Sequence, residues 1–175
     1  MNTPTIIIIA IFTVIAILGL IILTIVNKLT FYKKRILDKF NAVNDILNGR
    51  IEIITALIGI LSKANYHEDN LLKELSLVSE EINKENAVNN LLLLISKSDN
   101  ILKKALTLDK IYQELSSNKE YQNLVESFKN NQYKLMYAIE VYNEEVEVYN
   151  NYRQNKFIDL VRAIFKFKEY NYYEK

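Results

Sequence analysis

Residues 5–26 read TIIIIAIFTVIAILGLIILTIV, a run without charge whose only polar side chains are Thr5, Thr13 and Thr24. Coiled as a helix, this run is about 33 Å long, against a hydrocarbon layer of about 30 Å. Ile6, Ile9, Phe12, Ile15, Leu18, Ile22 and Val26 leave it no solvated face. In lipid a helix also satisfies its own backbone groups. We read residues 1–27 as a transmembrane anchor. A cleaved leader starts basic, carries a shorter apolar core and ends on small residues. Here no Lys or Arg precedes Thr5 and no Ala-x-Ala follows Val26.

The flanks set the orientation. Lys28, Lys33, Lys34 and Arg35 follow the run, and no basic side chain precedes it. The positive-inside rule then predicts a single-pass protein of the cell membrane, with residues 28–175 as one cytoplasmic domain. The same charges can attract anionic lipid headgroups, so the bilayer is the first partner to expect.

The rest of the composition narrows the fold. The chain has 175 residues, 22 basic against 21 acidic, and this balance leaves no footprint for nucleic acid. It has no Cys, three Gly and one Pro, too few to build disulfides, thiolate chemistry or a turn-rich sheet. An all-α fold is predicted. Ile36, Phe40, Val43, Leu47, Ile51, Ile54, Ile58 and Leu61 step by threes and fours, extending the anchor into one helix from about Thr5 to Ala64. A second helix from near Glu68 presents Leu71, Leu75, Val78 and Ile82, and the polar stretch 83–90 reads as a turn. A third carries Leu94, Ile101, Leu108 and Leu115 at seven-residue spacing and ends at Ser116, Ser117 and Asn118, which offer cap oxygens. A fourth has the heptad seam Phe128, Gln132, Leu135, Ile139, Tyr142, Val146 and Tyr149, with Gln132 its plainly polar member. A last segment, 157–173, is aromatic and basic, with Phe157, Leu160, Val161, Ile164 and Phe167 on one side, and reads as a short C-terminal helix. Packing these faces predicts an antiparallel up-and-down bundle.

Catalytic groupings do not emerge. The one histidine, His67, precedes Glu68, but Leu71 stands where a zinc-binding H-E-x-x-H helix needs its second imidazole. No cofactor or metal is expected, and Glu140, Glu144, Glu145 and Glu147 read as a solvated acidic face. The most unusual pattern is the repeat of Tyr142-Asn143 as Tyr149-Asn150, with Val146 between. Seven residues is nearly two helical turns, so both tyrosines share a stripe and both asparagines its shoulder. We read it as a polar ladder locking this helix to its neighbours, in preference to a partner groove.

The repeat resembles the C-terminal signature Y-N-x-x-V-x-x-Y-N of the LemA family of membrane-anchored bacterial helical proteins. Arg50 to Ile58, with Arg50 and Glu52, resembles that family's R-x-D-L-I-P-N-L-V run, although Thr55 and Ala56 replace Pro-Asn. Tyr66-His67-Glu68 and the Tyr121 to Leu124 segment resemble two further family elements. The resemblance implies a non-enzymatic, membrane-associated bundle. We therefore expect a scaffold or interaction module at the membrane, with protein partners and with self-association as an option. The alternative is lipid binding or membrane remodelling by the basic, aromatic C-terminal segment, which otherwise closes the bundle.

Overall fold

Six α-helices and no strand make up the computed structural model, which describes residues 3–63, 69–84 and 88–173. They are α1 (Thr3–Lys63), α2 (Asp69–Lys84), α3 (Val88–Ala105), α4 (Gln113–Ser117), α5 (Lys119–Arg153) and α6 (Asp159–Phe165). Short 3-10 turns occupy Leu108–Lys110 and Lys156–Ile158. The all-α expectation holds, and the chain is a helical bundle.

α1 runs for 61 residues, and no break marks the passage from residue 27 to 28. It contains a candidate membrane span with mean hydropathy 3.4, none of it buried. Among the described residues no other helix qualifies. A soluble core helix of that composition would be covered by its neighbours. Here the side chains from Thr3 to Leu18 are all exposed, and partial cover becomes regular only from Ile22, Ile25 and Val26 onward.

The chain divides into two compact units, Met1–Asp38 with Glu144–Tyr170, and Lys39–Asn143 with Asn171–Lys175. In the first, α1 and the end of α5 run antiparallel. The Lys28 ammonium lies 4.5 Å from the centre of the Tyr152 ring. Arg35 is ion-paired with Glu145. Leu29, Ile36, Val146, Tyr149, Ile158 and Val161 are buried in this unit.

In the second unit, α2 and α3 form a helical hairpin tied on its surface by Lys97 and Glu81 at 2.6 Å. The stripe read on α2, Leu71, Leu75, Val78 and Ile82, is buried in full. Burying each such side chain contributes about 1.5–3 kcal/mol, which is why the threes-and-fours spacing is a dependable signal. On α1 the predicted stripe holds at Val43, Leu47, Ile54 and Leu61, but Ile51 and Ile58 are only half-buried. Arg50 and Leu57 take the central places instead.

Two expectations are corrected. The third helix does not continue to Ser116. α3 stops at Ala105, and a 3-10 turn and α4 follow, although Leu94, Ile101, Leu108 and Leu115 are all buried. The carbonyls at this end find partners outside the helical ladder. Thr107 Oγ1 donates back to the carbonyls of Lys103 and Lys104 at 3.0 and 2.9 Å. The Tyr121 hydroxyl takes the Ala105 carbonyl at 2.9 Å. Carbonyls left without a helical partner where α3 ends are thus satisfied. Asn118 does cap α5, its Oδ1 accepting from the Tyr121 N–H at 3.0 Å.

The second correction concerns the last segment. α6 is only seven residues, ended by Lys166 in the left-handed conformation at φ 54°, and the chain from 167 to 173 is not helical. Of the predicted apolar side only Val161 is buried, joined by Ile158; Phe157, Leu160 and Ile164 face outward and Phe167 is half-buried.

Candidate functional site

Two polar constellations stand out among the described residues, one built on α1 and one on α5. Arg50 is fully buried in the second unit. Its guanidinium donates to Asp99 Oδ1 at 2.5 Å, Ser98 Oγ at 3.0 Å, Asn131 Oδ1 at 3.1 Å and Gln132 Oε1 at 3.1 Å. It also lies 5.5 Å from the centre of the Phe128 ring. Gln132 returns a bond to Asp99 Oδ2 at 2.7 Å, and Asn131 donates to the Ile46 carbonyl at 2.8 Å. One α1 side chain therefore holds α3 and α5 at once. Burial pulls the Arg50 pKa below its usual value, while the charge and hydrogen bond of Asp99 push it back up. A planar fork suits this place, because its three nitrogens between them reach four acceptors set around one plane.

The tyrosine–asparagine repeat binds something unexpected. Its hydrogen-bond partner is the chain's own C-terminal tail. In the first unit the Tyr149 hydroxyl donates to the Lys168 carbonyl at 2.7 Å. Asn150 Nδ2 donates to the Tyr170 carbonyl at 2.9 Å, and the Tyr170 N–H donates to Asn150 Oδ1 at 3.2 Å. The Tyr149 and Tyr170 rings meet edge to face at 5.3 Å.

In the second unit the same chemistry recurs. The Tyr142 hydroxyl donates to the Asn171 carbonyl at 3.1 Å. Asn143 exchanges two bonds of 2.7 Å with the backbone of Tyr173. The Tyr142 and Tyr173 rings meet at 4.8 Å. Each Tyr-Asn pair thus grips one tail tyrosine through ring and backbone together. Seven helical residues rise about 10.5 Å and three extended residues about 10 Å, so a seven-residue repeat suits tail tyrosines three apart.

Burial raises the phenols of this clamp. Tyr149 is pushed from 10.0 up to about 12, first by desolvation and then by Tyr170, with Arg153 opposing. Tyr173 and Tyr170 are raised as well, chiefly by desolvation. A phenol raised in the folded state contributes stability that is whole below about pH 10 and lost as pH climbs through the folded value. Tail attachment is therefore expected to loosen between about pH 10 and about pH 12, seen as faster proteolytic trimming of residues 166–175. Tyr149→Phe should start weaker, having lost the bond to Lys168, and respond less steeply across that range.

The remaining predicted site residues fall into place individually. The anchor residues Thr5, Ile6, Ile9, Phe12, Ile15 and Leu18 are exposed on α1, while Ile22 and Val26 are half-covered. Of the orientation charges, Lys33 and Lys34 are exposed, whereas Lys28 and Arg35 engage α5. The acidic face departs from expectation at Glu145, which turns inward to Arg35 while Glu140, Glu144 and Glu147 stay exposed. Tyr121 is buried against the end of α3. Val146 is core. Glu52 and Leu124 share an open groove of about 520 Å³ in the second unit, lined also by Gly49, Ala56, Asn130 and Lys134. His67 and Glu68 lie outside the described residues.

These arrangements hold backbone and helices and present no nucleophile–base pair. Among the described residues no group of three His, Asp or Glu converges as a metal site would. Compared with known sequences, residues 39–175 match the model of the LemA family. No curated protein matches the chain.

Proposed function

The chain belongs to the LemA family, and from that premise we propose that it is a non-enzymatic scaffold, held in the cell membrane by one span with its helical body in the cytoplasm. The observation that carries this reading is the continuity of α1. An uncovered apolar helix passes without a joint into a bundle whose buried polar side chains are largely spent on its own backbone and helices. A docking module needs its helices tethered at the membrane, and a span continuous with the first of them supplies that tether.

The surface we assign to protein partners is the groove between α1 and α5, where Glu52 and Lys134 offer one charge of each sign around Gly49 and Ala56. Glu52 there is exposed and makes no bond to hold the fold, so the reading gives it work that the core does not explain. Self-association through the same groove is the special case in which the partner is a second copy.

The chain has no cysteine, which makes the test direct. Single cysteines introduced at Asn2 and Lys33 are expected to react with a membrane-impermeant thiol reagent from opposite sides of intact cells. A photo-reactive residue at Glu52 is expected to join the same neighbour in intact membranes that Lys134 joins, and to lose it once residues 1–27 are deleted. Capture that survives the deletion unchanged, or an enzymatic turnover abolished by Glu52→Gln, overturns the reading.

A further inference from the structure

We propose that α6 is a second membrane contact, a short interfacial foot that lays its outer face on the same bilayer that α1 crosses. This deepens the tethering reading and depends on α1 being a span. The first observation is the face itself. Phe157, Leu160 and Ile164 follow one another at steps of three and four, and are 90%, 68% and 61% exposed. Phe165 beside them is half in the open at 49%. The opposite face, Ile158 and Val161, is already buried. The 3-10 turn and α6 together bury two apolar side chains and leave two phenylalanines, a leucine and an isoleucine outside, an arrangement inverted for water.

The second observation is where the fold puts this face. The ring of Tyr152 lies under the Lys28 ammonium, only two residues past the end of the apolar run. The chain after Arg153 leaves α5, makes α6 and comes back to the same place. Arg153 Nε donates to the Phe167 carbonyl at 3.1 Å, Tyr149 holds Lys168 and Asn150 holds Tyr170. Both ends of the excursion are thus pinned at the tip of α5, level with the point where α1 leaves lipid. Phe157 is five residues from Tyr152, so it stands within about 17 Å of that level.

The third observation is charge. Lys156, Lys166 and Lys168 are exposed around the apolar face, and Asp159 is engaged by Arg162 at 2.9 Å. Aromatic rings with lysines beside them are the composition that settles at the headgroup boundary. On α1 itself Phe31 is exposed in the same unit, three residues beyond Lys28. Continuity with the span is what selects lipid as the occupant, because a face within reach of a bilayer meets it before any diffusing partner.

The protein has no tryptophan, so a single one reports its own surroundings. The full chain would be reconstituted in phosphatidylcholine–phosphatidylglycerol vesicles as three variants, Phe157→Trp, Leu18→Trp inside the span, and Tyr133→Trp on the exposed side of α5. Emission from F157W is expected to shift to the blue and to be largely lost with lipids brominated near the headgroup. L18W should respond to deep bromines, and Y133W to neither. If L18W is quenched while F157W emits like Y133W, the foot is overturned and the span stands. If F157W is blue-shifted yet untouched by bromolipid, a protein surface or second copy covers the face, and the proposal fails. If L18W also escapes quenching, the span and the foot fall together.

Discussion

Replacing Arg50 by alanine is expected to cost about 3–5 kcal/mol of folding stability, the range found when one partner of a buried ion pair is removed. The figure follows from what is left behind. Asp99 loses its cationic partner in a site where its side chain is 16% exposed, and Ser98, Asn131 and Gln132 each lose a donor. Each neutral group stranded without a partner adds about 1–3 kcal/mol in isolation, although members of one network do not add linearly. Arg50→Lys keeps the charge but not the fork. One ammonium cannot reach four acceptors arranged around a planar group, so about half the loss is expected to remain. The decisive measurement is a double-mutant cycle with Asp99→Ala, read by urea unfolding of the detergent-solubilised chain. A coupling of about 1–3 kcal/mol is expected. Additivity of the two losses would mean that the pair does not act as a unit.

That buried arginine also marks how far sequence reading reaches. The fold class was legible because helical periodicity reports burial directly, and α2 obeys it residue for residue. On α1 the buried places Val43, Leu47, Arg50, Ile54, Leu57 and Leu61 step by four, three, four, three and four. Arg50 sits in phase with that seam, and a charge at a seam position is the signal of a register-setting polar contact. Reading only apolar letters moves the stripe onto Ile51 and Ile58 and hides it. The end of α3 was not legible for a different reason. Seven-residue spacing survives a break in the backbone as long as the leucines still face one core. The end of α3 is met by a hydroxyl from Tyr121, sixteen positions away along the chain.

The tail clamp was half visible. Two Tyr-Asn pairs a heptad apart announce a ladder, but nothing in helical periodicity says what the ladder holds. The tail has no apolar period of its own, since it is gripped mainly through backbone atoms that every residue shares. Tyr170 and Tyr173, three apart, were the available clue. Exposure of the outer face of α6 was hidden by the same habit of assuming that aromatic residues turn inward.

The second large effect is expected from Asn150→Asp, a change of nearly equal size that alters one atom of the clamp. Asn150 is buried, with 2% of its surface exposed, and serves Tyr170 as donor and acceptor at once. Aspartate keeps the acceptor for the Tyr170 N–H, but it points an anion at the Tyr170 carbonyl where an N–H stood. The lost donor and the buried like-signed contact together are expected to cost about 2–3 kcal/mol locally. Hydrogen exchange reads this as protection of the Tyr170 amide falling by a factor of about 30–150, while α2 and α3 keep theirs. Asn143→Asp should act in the same direction on Tyr173, and less strongly, since Asn143 is only half-buried. The sign of the pH response separates this cause from simple misfit. Protonating the new carboxyl restores an O–H donor, so the penalty should shrink as pH falls toward about 4, whereas Asn150→Ala should show no such recovery. If the aspartate and alanine variants lose protection equally at every pH, the two-way bond does not hold the tail, and ring packing against Tyr149 is left to do so.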